Sequence, residues 1–338
     1  MALQRRWISF AAAAGVAVSL LPSSAKAAAG GVSFWLPGIF GSLAATPTVP
    51  GWAYASIYLH LQANAGATQN FVTSGGGRGS VVTGLSAHGD ALALAVIYTS
   101  PTPVLGGQAA FSIITAPGNV GVGIDATLTG PRGNAISGTA IDNRTTLSDV
   151  FYQGSLKWNQ GVHNEMVYIV GNIPSGTYDP SRLANLNLGF VAYDVGAGYT
   201  YLDPKAGHEF SIVGGLTYSL ENPFLQYQNG IDFHVDWAAS QFISKNVQIG
   251  VAGYFLQQIT DDSGPGAKLG GFRGRAIGLG PQIGFIISMS KEYQGYLNIK
   301  GYKDLEVENR ASTWSTWVTF VVSPAPPEPA AKPITRKY

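Results

Sequence analysis

The feature that most constrains this chain is a strict two-residue alternation in segments almost free of charge. From Gly230 to Ser240, Ile231, Phe233, Val235, Trp237 and Ala239 take one parity, and Asp232, His234, Asp236, Ala238 and Ser240 the other. Successive side chains of a strand point to opposite faces, so this segment is amphipathic when extended and not when helical. Only 12% of the chain is charged, against about 25% in an average soluble domain, and it holds 44 glycines. Much of its surface therefore does not face water. Beyond the N-terminus no uncharged apolar run approaches the eighteen or so residues of a membrane-spanning helix. What remains is a closed β-barrel, in which every backbone polar group is paired between strands.

The N-terminus agrees with export. Arg5 and Arg6 precede an apolar run from Ile8 to Leu21 and a small-residue exit, Ala25-Lys26-Ala27, the order of a secretory signal peptide over residues 1–27. The expected location is the outer membrane, with membrane lipid and the barrel-assembly machinery as partners. A net charge of +1 leaves no electrostatic footprint for nucleic acid, and the absence of cysteine excludes disulfides and thiolate metal sites. No cofactor motif is present: the glycine run at 75–77 lacks the Lys-Ser/Thr of a phosphate loop.

The alternation predicts an all-β fold, an antiparallel transmembrane β-barrel of about 14 strands, with 12 as the alternative, over residues 52–322. Thirteen segments alternate, at 52–63, 90–99, 107–115, 120–129, 147–158, 163–173, 190–202, 208–219, 230–240, 247–258, 273–288, 293–303 and 313–322. A cryptic fourteenth lies within 69–86. Connections at 159–161, 203–207, 244–246 and 288–292 are short and periplasmic. Those at 130–146, 174–189, 220–229, 259–272 and 304–311 are long and extracellular. Trp158, Tyr201, Phe210, Trp237 and Phe320 form an interfacial girdle on the lipid side. The segment 28–51, with Phe34, Trp35, Leu36, Ile39 and Phe40, is too apolar for water and is expected as a plug in the lumen or on the periplasmic rim. Residues 323–338 read as a proline-rich tail.

Placing apolar faces toward lipid gives the expected lumen and substrate path: Tyr58, His60, Gln153, Asp194, Asp232, His234, Asp236, Gln248, Tyr254, Gln258, Tyr296, Asn298 and Lys300, with Tyr54 and Trp317 beside them. Asp232-x-His234-x-Asp236 is the sharpest constellation, one parity of one strand. It could serve a barrel hydrolase with Asp261-Asp262 as a second carboxylate pair, hold a cation, or form a hydrogen-bonded ladder offset by Lys157 and Lys300. Adjacent residues on a strand face opposite ways and no second histidine stands opposite, which favours the ladder. Aromatics and amides with both charge signs suit uncharged or amphiphilic small molecules better than the one-sign constriction of a general porin.

Four motifs carry a family resemblance: Ile173-Pro174-Ser175-Gly176-Thr177-Tyr178, Asn187-Leu188-Gly189, Gln258-Ile259-Thr260-Asp261 after Gly253-Tyr254, and Gly280-Pro281. In this order and spacing the chain resembles the outer-membrane family of the MetA pathway of phenol degradation. The resemblance implies a barrel related to channels for fatty acids and aromatic hydrocarbons, a passive uptake role for small hydrophobic or aromatic compounds, and no catalytic residues. The chain departs from the pattern in continuing past its last strand into the proline-rich tail.

Overall fold

The structure is a computed structural model that describes residues 33–72, 76–267, 271 and 273–327. The leader reading for 1–27 lies outside these residues, as does the tail beyond 327. Fourteen strands form one antiparallel sheet: β1 (Gly51–Val72), β2 (Arg78–Thr99), β3 (Gln108–Thr115), β4 (Pro117–Thr129), β5 (Ala135–Leu147), β6 (Val150–Gln160) and β7 (His163–Ile173) in the first half. The second half holds β8 (Ala192–Asp203), β9 (His208–Ser219), β10 (Asp232–Phe242), β11 (Val247–Gln258), β12 (Arg275–Ser288), β13 (Tyr293–Glu308) and β14 (Ser312–Pro324). No residue among those described is helical. Each strand pairs with its neighbour from β14 back to β6, then β6 with β3, β3 with β2 and β2 with β1, and β1 meets β14 to close a twelve-stranded cylinder.

β4 and β5 stand outside that ring. β4 continues the register of β3 along β2, since Leu94 faces Thr115 and Ala91 faces Gly118. Pro117, with no N–H to give the ladder, marks the break between them. β5 pairs with β4 alone, and the run from β5 into β6 slips by one residue at Ser148-Asp149. The upper parts of β1 and β2 with β4 and β5 thus rise above the ring as a four-stranded wall.

Two expectations about elements are corrected here. The stretch 69–86 is not a separate strand: residues up to Val72 prolong β1 and those from Arg78 begin β2, paired from Gly51–Thr99 through Val72–Arg78 as one long hairpin. Residues 135–147, expected as loop, are β5. Its Ser137-Gly138-Thr139-Ala140 core is small and polar on both faces, so it carries no apolar alternation.

Facing follows parity through most of the barrel. Phe233 on β10, Ile212 on β9, Val251 on β11 and Ile299 on β13 are exposed on the outer surface, while Asp236, Ser211, Ala252 and Asn298 are buried. On β1 the parity is reversed from expectation. Tyr54 and Tyr58 are 58% and 39% exposed, whereas Ala53, Ala55 and Ala63 are buried and Ile57, Leu59 and Leu61 line an internal cavity. Tyr54, Tyr58 and His60 belong to the outer face, and Tyr58 and His60 leave the lumen set. Alternation supplies the period of a strand; the hand was drawn from the premise that lipid is the only apolar surroundings. An apolar lumen breaks that premise.

Candidate functional site

Residues 33–50 run down the inside of the barrel. Phe34 packs with Leu188, Phe190 and Phe151. Trp35 is buried and stacks on His234 at 3.6 Å between ring centroids and 15° between planes. The following turn lies between two charges of opposite sign. Gly38 N and Phe40 N donate to the Asp236 carboxylate at 2.8 and 3.1 Å. Lys300 Nζ donates to the carbonyls of Gly38, Ile39 and Phe40 at 2.6, 3.3 and 3.0 Å. The peptide dipoles of one turn thus bridge two buried ions, each satisfied by charge-assisted hydrogen bonds. Gly38 sits at φ 84°, and a Cβ there would come within 2.6 Å of the Tyr302 ring, so both backbone and space require glycine.

Lower attachments repeat the pattern. Leu43 N and Ser42 Oγ donate to Glu209 at 3.0 and 2.7 Å, Gln282 Nε2 donates to Ser42 at 2.7 Å, and Ala45 N donates to Thr200 at 3.0 Å. Lys157 Nζ reaches the Thr46 carbonyl at 3.2 Å, and Thr48 N donates to Gln108 at 2.7 Å. These partners are inward side chains of β3, β6, β8, β9, β10, β12 and β13.

Most of the expected lumen residues therefore lie in a packed half of the barrel. His234 Nε2 is 2.7 Å from Asp194 Oδ2, which also accepts from Thr217 at 2.6 Å; both His234 and Asp194 are buried. Tyr254 donates to Asp304 at 2.6 Å, Gln248 to Tyr296 at 2.6 Å and Asn298 to the Ile283 carbonyl. Gln258, at the end of β11, donates to Asp262 at 2.8 Å, and Asp232, at the start of β10, is its partner across the ladder. Asp232, His234 and Asp236 share a face as expected, but their partners differ: Asp236 holds the turn and His234 pairs with Asp194 beneath Trp35. Asp262 accepts from Gly230 N at 2.8 Å and from Tyr227. Burial and that carboxylate push the Tyr227 phenol above its ordinary value, so it remains a donor. No group of three metal-ligating side chains gathers among the described residues.

The other half of the interior is open. A cavity of about 920 Å³ is bounded by β1 to β4 on one side, with Ile57, Leu59, Leu61, Ala63, Ala87, Ala91 and Val122. Across from them stand Phe34, Trp35, Leu36, Ile39 and Phe40 of the inner segment, Phe151 and Gln153 of β6, and Leu183, Leu186 and Leu188 of the loop after β7. Of the expected path residues, Gln153 lines it, together with Trp317 and the five apolar side chains of 34–40. Sequence reasoning missed the β1–β2 wall; its signal was a run of alanine and leucine at one parity of both strands, and on β1 that parity was read toward lipid.

The loop after β7 is tied to the wall by Asp149, which accepts from Gly176 N at 3.1 Å, Leu188 N at 3.1 Å and Asn187 Nδ2 at 3.2 Å. A Cβ on Gly176 would collide with Asn187. Arg182 pairs with Asp142 on β5, and Arg144 donates to Asn185 and Thr177 at 3.2 and 2.8 Å. The Ile173 to Tyr178 and Asn187 to Gly189 motifs thus share one buried carboxylate, and their place is structural.

A closed antiparallel barrel with an apolar outer band belongs in the outer membrane. The same architecture is found in an outer membrane channel from Pseudomonas putida F1, at a TM-score of 0.56 and 12% identity over 82% of this chain and 97% of that one. A Pseudomonas aeruginosa FadL homologue aligns at a TM-score of 0.36 and 7% identity, over 80% of this chain and 89% of that one. No curated protein matches the chain. A family model matches residues 68–320. The chain is a member of the outer-membrane barrel family described as "Putative MetA-pathway of phenol degradation".

Proposed function

We propose that this protein is an outer-membrane channel for the passive uptake of small hydrophobic or aromatic compounds, with residues 33–50 as a plug. The observation that carries this reading is the apolar cavity, walled by alanine, leucine and aromatic side chains where a general porin would need water and charge. The polar lumen residues Asp194, His234, Asp236 and Lys300 hold the plug and pack its surroundings, and they are assigned no catalytic task. Deleting residues 30–50 removes no ladder strand, so the barrel should still close while its conductance in planar bilayers rises severalfold. An unchanged conductance in a folded deletion variant would contradict the plug. Cleavage of peptides or esters by the purified barrel, lost in His234→Ala, would transfer the assignment to a hydrolase.

A further inference from the structure

The cavity has a length, and the strands measure it. Its lining on β1 runs from Ile57 to Ala67, ten steps of about 3.3 Å or about 33 Å along the strand. Spread over that length, a cavity of about 920 Å³ is a narrow slot rather than a round chamber.

The two ends of this slot lie in different surroundings. At its lower end and just below it, the outward residues of β2 are Leu92, Leu94 and Val96, all exposed and apolar. Beside its upper part they become Asp90, His88 and Ser86, and the wall behind carries Asn119, Asn143 and Thr145 joined by hydrogen bonds of 2.7 and 2.9 Å. The outer edge of the hydrocarbon therefore falls near Leu92, since exposed polar groups do not face lipid tails. The inner parity does not change there: Leu85 and Ala87 on β2 with Val122 and Ile124 on β4 continue the apolar lining upward. Of the charged side chains on the lining, Arg182 is paired with Asp142, and Asp90 is held by Tyr58 and His60.

We infer, on the channel reading above, that the slot is a binding site for one elongated, uncharged, hydrocarbon-rich molecule, which enters the upper wall outside the bilayer and lies along β1. A single aromatic ring fills a small part of it, so length is the property selected.

The chain has no cysteine, which allows a direct test. Single-cysteine variants Leu59→Cys, low in the slot, and Ala67→Cys, high in it, are placed in lipid nanodiscs, with heat-modifiable gel mobility as the check of folding. Their reaction with a small water-soluble thiosulfonate is timed alone, with saturating toluene and with saturating hexadecylbenzene. The long compound should slow both positions at least tenfold, and toluene no more than about twofold. Equal protection by both compounds would overturn the length claim and leave the channel standing. Protection at neither position would overturn the site itself, whatever the conductance shows. If either variant fails to fold, Leu61→Cys and Ala65→Cys take their places.

Discussion

The turn at Gly38 to Phe40 shows at residue scale how much of the interior could be read in advance. Asp236 and Lys300 were legible as inward charges, because each sits at the polar parity of an alternating strand. Their shared partner was not, since it is backbone 198 to 262 residues away and carries no side-chain signature. Removing the Lys300 ammonium strips the turn of its three charge-assisted hydrogen bonds, and a hydrogen bond to a charged group contributes about 1.5–3 kcal/mol. If residues 33–50 are a plug, Lys300→Met should therefore loosen it, seen as raised and noisier single-channel conductance with barrel mobility on gels unchanged. Asp149 has the same character. Asp149→Ala removes the acceptor of Gly176 N and Leu188 N, and hydrogen bonds to a charged group contribute about 1.5–3 kcal/mol each. Limited proteolysis should then cut within 174–191 at least tenfold faster than in the wild type, and an unchanged rate would remove Asp149 from this role.

At the scale of elements, period was legible and hand was not. β10, β13 and β14 read correctly because their two faces meet unlike surroundings, lipid outside and a polar packed interior inside. On β1 the apolar parity faces the cavity and the more polar one, Tyr54, Ser56, Tyr58 and His60, faces out; on β2 both faces are apolar at membrane height, and only the switch to Asp90, His88 and Ser86 farther up shows which face meets the outside. β5 was invisible for a related reason: it meets neither lipid nor a dry core, so small polar residues suffice. Cysteine at position 94 should react with a lipid-soluble maleimide, and cysteine at 86 with a membrane-impermeant one; the opposite pattern would move the bilayer boundary. Because β4 and β5 lie outside the ring, joining Gly121 to Asn143 by a two-residue turn should leave β-dominated circular dichroism and heat-modifiable mobility intact. Loss of the folded band would place the hairpin within the closure instead.

The whole molecule divides its interior between two tasks. The arc from β8 to β13 supplies most of the hydrogen bonds that hold residues 33–50, and the arc of β1, β2 and β4 supplies a largely apolar wall to the open cavity. The first arc gives the barrel a fixed inner lining and the second gives a hydrophobic solute a surface it can occupy without water. The measurement that tests this division most directly is uptake of a radiolabelled alkylbenzene by porin-deficient cells carrying the wild-type protein, Ala87→Trp or no barrel. Ala87 lines the cavity, and an indole there takes up part of its space. The wild type should raise uptake severalfold over cells without the barrel, and Ala87→Trp, present in the outer membrane at equal amount, should return it to background. Equal uptake by all three strains would contradict a channel that runs through this cavity.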